Sequence, residues 1–292
     1  MQLILHVGAH GTDGGQFARW ISDNRPIFAQ RGAVAPPPRL FLSRLSEALD
    51  TGRDADPLDR EEGLLRGLGA SGARRWMMVS APGLLGGVTD VIAPEGFYVK
   101  DVARRLFGVR SLFPRSKVTV LVSVRRPSAV IPAMLPLDPD AVADLLPKLS
   151  SETLPWARLI GLIRQEMPQA QIVAWRHEDL ADLWPDVLSR FVGPERPIAR
   201  NGLLEFAAIG LNEEARVRLK KYLEVSPPST PGQWRQVARV FGDRYGRDTP
   251  ADPTAGLPGW VQVELARLDR GYETEWTDIA GLAGITALTA NR

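Results

Sequence analysis

The chain has 292 residues, 44% hydrophobic and 24% charged, with 36 basic side chains nearly cancelling 34 acidic ones. That balance suits a globular protein filled by one α/β core, and it excludes the strong positive field of a dedicated nucleic-acid or anionic-membrane binder. The absence of cysteine excludes disulfides, thiolate metal sites and cysteine nucleophiles.

The first apolar run, residues 3–7, predicts a buried strand that enters Gly8-Ala9-His10-Gly11-Thr12-Asp13-Gly14-Gly15. A helix carried by Phe17, Trp20 and Ile21 follows and ends near Asn24-Arg25-Pro26. Residues 40–49 and 61–68 have helical spacing, 76–80 form a second strand, and 102–113 return to helical spacing. Residues 118–124 predict a third strand, and 154–167 an amphipathic helix stopped by Pro168. The fourth strand is 172–175. These runs lack polar alternation, as expected of a parallel sheet covered on both faces.

After Trp175 the pattern reads as wholly helical, at 180–191, 212–223, 230–245 and 259–279. Thr230-Pro231-Gly232-Gln233 has the cap, first-position proline and third-position glutamine of a helix start. Proline- and glycine-rich stretches at 35–38, 226–232 and 246–259 read as surface loops. The expectation is one α/β domain over residues 1–292. Its mostly parallel central sheet lies within about residues 1–195, and a helical C-terminal region spans about 196–292. The N-terminus has no basic leader and no apolar run reaches the ~18 residues of a membrane span, so a cytoplasmic location without a membrane span is expected.

Strand, glycine-rich turn and helix N-terminus form an anion cradle, because free N–H groups and the helix dipole converge there. The turn is not a Walker loop, since no Lys-Ser or Lys-Thr pair follows Gly8 at the required spacing. Asp13, with Gln16 three residues on, reads as an N-cap in a capping-box-like start; it also reads as a carboxylate placed where a ligand would sit. His6 reads as a satisfied core histidine, and His10 is the one histidine in the loop and so the candidate base. Arg125, at the end of the third strand, suits either phosphate recognition or a structural pair. The histidines lack metal-ligand spacing, so no metal is expected.

From residue 3 to 37 the chain resembles the opening of bacterial sulfotransferases, through His6, Gly8, Ala9, His10, Thr12, Gln16, Asn24-Arg25 and Gly32. The resemblance continues through Phe113-Pro114-Arg115, Val122-Ser123-Val124-Arg125-Arg126-Pro127, Leu154-Pro155-Trp156 and Trp175-Arg176-His177-Glu178-Asp179-Leu180. It implies a P-loop-like three-layer fold and a 3′-phosphoadenosine 5′-phosphosulfate (PAPS) donor. It also implies transfer of a sulfuryl group to a hydroxyl of a carbohydrate or small molecule. Gly8, Ala9, His10, Gly11, Thr12, Gly14 and Gly15 would then hold the 5′-phosphosulfate, and Arg125 the 3′-phosphate.

The family's loop lysine corresponds to Gly11, its Gly-Thr-Thr to Asp13-Gly14-Gly15, and a phosphate-contacting serine to Ala133. Three readings follow. One is a sulfotransferase with an unusual loop, and another a non-catalytic binding or interaction protein on that scaffold. The third is a different phosphate-using transferase whose cation comes from Arg74-Arg75, Arg104-Arg105 or Arg125-Arg126.

Overall fold

The computed structural model describes residues 1–51, 56–70, 76–93, 96–98, 101–151, 154–193, 196–248 and 252–290. Arg74-Arg75 and residues 249–251 of the 246–259 stretch therefore lie outside the described residues. In chain order the first elements are β1 (Gln2–His6), α1 (Gln16–Asp23), α2 (Arg25–Gln30), β2 (Ala33–Val34), α3 (Pro38–Thr51) and α4 (Pro57–Gly67). Then come β3 (Trp76–Ser80), β4 (Ile92–Ala93), β5 (Gly96–Phe97), α5 (Val102–Leu112), β6 (Lys117–Val124), α6 (Pro127–Met134) and α7 (Pro139–Leu145). The chain continues through α8 (Trp156–Glu166), β7 (Gln171–Arg176), α9 (Leu180–Val192), α10 (Leu203–Ala207), α11 (Glu213–Val225) and α12 (Pro231–Tyr245). It ends with α13 (Gly259–Asp269), α14 (Tyr272–Gly281) and β8 (Ile285–Leu288).

Six strands make one mostly parallel sheet in the order β2-β3-β1-β6-β7-β8. β1 is parallel to both of its neighbours, with Leu3 beside Met77 and Val118, and Leu5 beside Val79 and Val120. That register aligns Leu3, Leu5, Val7, Met77, Val79 and Val120 on one face. There they join Phe41 and Leu45 of α3, Leu106 of α5 and Leu159 of α8 in a single core. The opposite face carries Ile4 and His6, and the ring of Phe17 from α1 meets His6 edge-on at 4.8 Å. Burial of both faces makes the strands read as continuous apolar runs rather than alternating ones. The result is a three-layer α/β fold, as expected.

The four expected strands are β1, β3, β6 and β7, displaced by at most one residue at either end. The wholly helical tail is overturned, because β8 adds a strand at one edge of the sheet. Its four residues are too short a pattern to stand out from the helices before them. The expected single helix over 259–279 is also two, α13 and α14, which break at Arg270-Gly271. Glycine is the poorest non-proline helix former, and Gly271 becomes the cap residue of α14.

Two compact units divide the chain, Met1–Ala174 with Pro253–Ala287, and Trp175–Asp252 with Leu288–Arg292. The first contains the loop after β1 together with α13 and α14. The second is helical, and in it Trp184 stacks on Phe206 at 5.8 Å and meets Trp234 edge-on at 5.5 Å. Its α12 starts as the sequence predicts: Thr230 and Gln233 form a reciprocal capping box with Pro231 in the first turn. Among the described residues, no helix is long and apolar enough to cross a membrane.

Candidate functional site

The loop of residues 8–15 leaves the carboxyl end of the central strand β1, between the end of β3 and the end of β6. Gly8 continues the sheet ladder: its carbonyl accepts from Ser123 N at 2.7 Å, and Ala9 N donates to Ser123 O at 3.2 Å. Gly8 has φ +101°, a conformation that strains any other residue, and a Cβ there would crowd Pro82 Cβ at the β3 exit at 3.1 Å.

Most of the loop's hydrogen bonds then close on the protein itself. Thr12, buried, donates its hydroxyl to Ala9 O at 2.7 Å. Arg19 reaches back from α1 to donate to Gly14 O at 2.7 Å. The Asp13 carboxylate accepts from Gly15 N at 3.3 Å and from Phe17 N at 3.0 Å. Asp13 is therefore a capping side chain, but not at the expected position: Gly15 is the cap residue of α1, and Gly14-Gly15 form an extra turn between the carboxylate and the helix. In the first turn of α1, Gln16 N donates to the Asp13 carbonyl at 2.9 Å and Phe17 N to this buried carboxylate, which is 8% exposed, so donors that would greet an anion are held by Asp13.

Arg125 approaches from the other side. It follows β6, and its guanidinium donates to the carbonyl of Gly11. This is a structural use of the arginine, directed at the very loop it would otherwise complement. Gly11 has φ +69°, and a Cβ there would lie 2.7 Å from the backbone carbonyl of Val130 in α6. The lysine that the family resemblance places at this position has neither the backbone conformation nor the room.

His10 is fixed by Tyr98. The tyrosine oxygen accepts from His10 N at 2.7 Å and lies 2.7 Å from His10 Nδ1. With the backbone proton accepted, the hydroxyl fills both of its roles by donating to Nδ1, and that assignment puts the imidazole hydrogen on Nε2. Burial holds His10 below its ordinary value of 6.5, against the opposing fields of Asp13 and Asp90. Burial likewise pushes the Tyr98 hydroxyl upward. Chemically, this pair keeps a neutral imidazole oriented at the loop.

His6 accords with its expected core role: Nδ1 lies 2.8 Å from Ser80 Oγ, and burial lowers its basicity against the field of Asp13. Both histidines are thus favoured neutral in the fold. Their contribution is complete above 6.5 and is lost as pH falls below it toward the folded values. The urea midpoint is expected to drop as pH falls below 6.5, and His10→Gln to shallow that slope. An unchanged slope in the variant would assign the acid sensitivity elsewhere.

Among the described residues, the remaining basic candidates are engaged in pairs. Arg126 pairs with Glu273, Arg105 lies 3.7 Å from Asp90, and Arg104 lies 3.6 Å from Asp101. Asp179, buried, forms a two-point pair with Arg176 at 2.8 and 3.2 Å. Among the described residues, no group of three His, Asp or Glu side chains could hold a metal ion.

Thus Gly8, Ala9, His10, Gly11, Thr12, Gly14, Gly15 and Arg125 come together at one end of the sheet. Two further participants were not assigned to the site from the sequence: Tyr98, and Trp156, which the sequence offers only within the Leu154-Pro155-Trp156 resemblance. Tyr98 follows the short strand β5, where no periodicity marks it. Trp156 donates its indole N–H to Arg125 O at 2.9 Å, a contact across 31 residues that no local pattern signals. In comparisons with known proteins, no protein-family model, no curated protein and no solved structure matches the chain.

Proposed function

We propose that this chain is a non-catalytic, sulfotransferase-like binding protein of the cytoplasm, whose first loop holds itself rather than a sulfated nucleotide. The observation that carries this reading is the Arg125 guanidinium donating to Gly11 O. That bond turns one of the guanidinium's five N–H donors onto the loop's own carbonyl and ties the side chain to the turn it would otherwise complement. Asp13 adds a second argument: a carboxylate about 4 Å from a bound phosphate oxygen costs on the order of 1–4 kcal/mol at surface-like dielectric. The position of Gly11 excludes the compensating lysine. The residues present therefore do not suit PAPS or its product, 3′-phosphoadenosine 5′-phosphate.

A second reading is sulfuryl transfer from PAPS to a hydroxyl of a carbohydrate or small molecule. It is favoured by the convergence of Arg125 and His10 on one glycine-rich loop at the carboxyl ends of parallel strands. Incubating the protein with labelled PAPS and a panel of sugar and phenol acceptors separates the two. The expected result is no acceptor-dependent release of 3′-phosphoadenosine 5′-phosphate. Turnover that Arg125→Ala abolishes would establish the second reading and end the first. A non-catalytic chain acts through its surfaces, and Trp260 and Val263 on α13 are exposed large apolar side chains, 50% and 66% accessible.

A further inference from the structure

Two arms grip the 8–15 loop, and they meet at one tryptophan. In the first arm, His10 is bonded to Tyr98, whose ring lies 6.4 Å from that of Trp156. In the second, Arg125 donates to Gly11 O while its own carbonyl accepts from Trp156 Nε1. Trp156 is fully buried and stacks on Phe97 at 3.9 Å, so its indole has one available orientation.

Trp156 opens α8, and α6 begins two residues after Arg125. Neither helix receives a side-chain cap from its own N-cap residue, Pro155 or Arg126. Both caps come instead from one short segment near the C-terminus. Glu275 accepts from Ala157 N at 2.8 Å, at the start of α8. Asp269 accepts from Ser128 N at 3.0 Å, and from the Ser128 hydroxyl, at the start of α6. Between them, Glu273 pairs with Arg126, whose guanidinium lies 5.8 Å from the ring centre of Tyr272. Three carboxylates within one stretch thus neutralise two helix N-termini and one arginine, all flanking Arg125 and Trp156.

We propose that residues 269–275 form a carboxylate strap that sets the conformation of the 8–15 loop through Trp156 and Arg125, with Glu275 and Asp269 as positioning residues. The strap couples the C-terminal helices to the end of the sheet through the two helix N-termini it caps. It is independent of what the loop binds. Its consequence is that a partner engaging α13 or α14 would alter the loop.

Amide hydrogen exchange and nitrogen NMR of the full chain test this. Glu275→Ala is expected to raise exchange at His10 N about tenfold, the loss of one net hydrogen bond. The strand amides of Val79 and Val120 should keep their protection. The His10 ring nitrogens should lose the signature of a fixed Nε2–H form, which simple loss of stability with the sheet intact would not produce. Loss of protection at Ala157 with His10 unchanged in both readouts would overturn the proposal. Should Glu275→Ala fail to fold, Trp156→Phe keeps a ring on Phe97 and removes the indole donor, with the cost of the lost core volume read separately from the protection of Val79 and Val120. A wild-type loop in that variant would equally refute the coupling.

Discussion

Gly11→Lys is expected to lower the unfolding free energy by about 3 kcal/mol, read as a fall in the urea midpoint with an unchanged slope. Two costs combine: a non-glycine residue at φ +69°, and a Cβ forced to 2.7 Å from the Val130 carbonyl. The second cannot relax by rotating a side chain, because the obstacle is helix backbone. Introducing the lysine that the resemblance implies should therefore destabilise the protein without conferring nucleotide binding. A stable Gly11→Lys protein that binds 3′-phosphoadenosine 5′-phosphate would show that glycine at this position is a chemical choice and not a steric one.

Asp13→Ala is expected to cost about 1–2 kcal/mol, the range for losing a helix-capping acceptor. It leaves the N–H groups of Gly15 and Phe17 without their carboxylate at the start of α1. Those donors and the helix dipole should then attract an anion. Sulfate stabilises most proteins by exclusion, so the measurement is the difference between variant and wild type as sulfate replaces chloride at constant ionic strength. The variant should regain a substantial part of its lost stability in sulfate. Equal sulfate responses in the two proteins would mean that Asp13 does not occupy an anion site.

These two residues mark where the sequence is informative and where it stops. The strands were legible because both faces of the sheet are buried, which leaves unbroken apolar runs at 76–80 and 118–124. The loop was legible because glycines follow the first strand and a helix follows them. Asp13 was legible in kind, since a carboxylate before a helix start has a strong local preference, but Gly14-Gly15 moved the cap position away from it. The reason for Gly11 was not legible, because its constraint is Val130, which meets it only in the folded chain. Tyr98 stayed hidden for the same reason, 88 residues from the histidine it orients. Arg125 stood out as a cation at the end of a strand, and only the fold reveals that its guanidinium donates to a loop carbonyl. The edge strand β8 was lost because four residues against a helical tail carry too little period to compete.

The central claim is that the 8–15 loop is a self-held turn, with Asp13 and Arg125 turned on the loop itself. Calorimetric titration of the wild-type chain with 3′-phosphoadenosine 5′-phosphate tests it most directly, with Asp13→Ala titrated in parallel. The account predicts no saturable heat for the wild type at millimolar ligand. Micromolar binding by the wild type, abolished by Arg125→Ala, would contradict it.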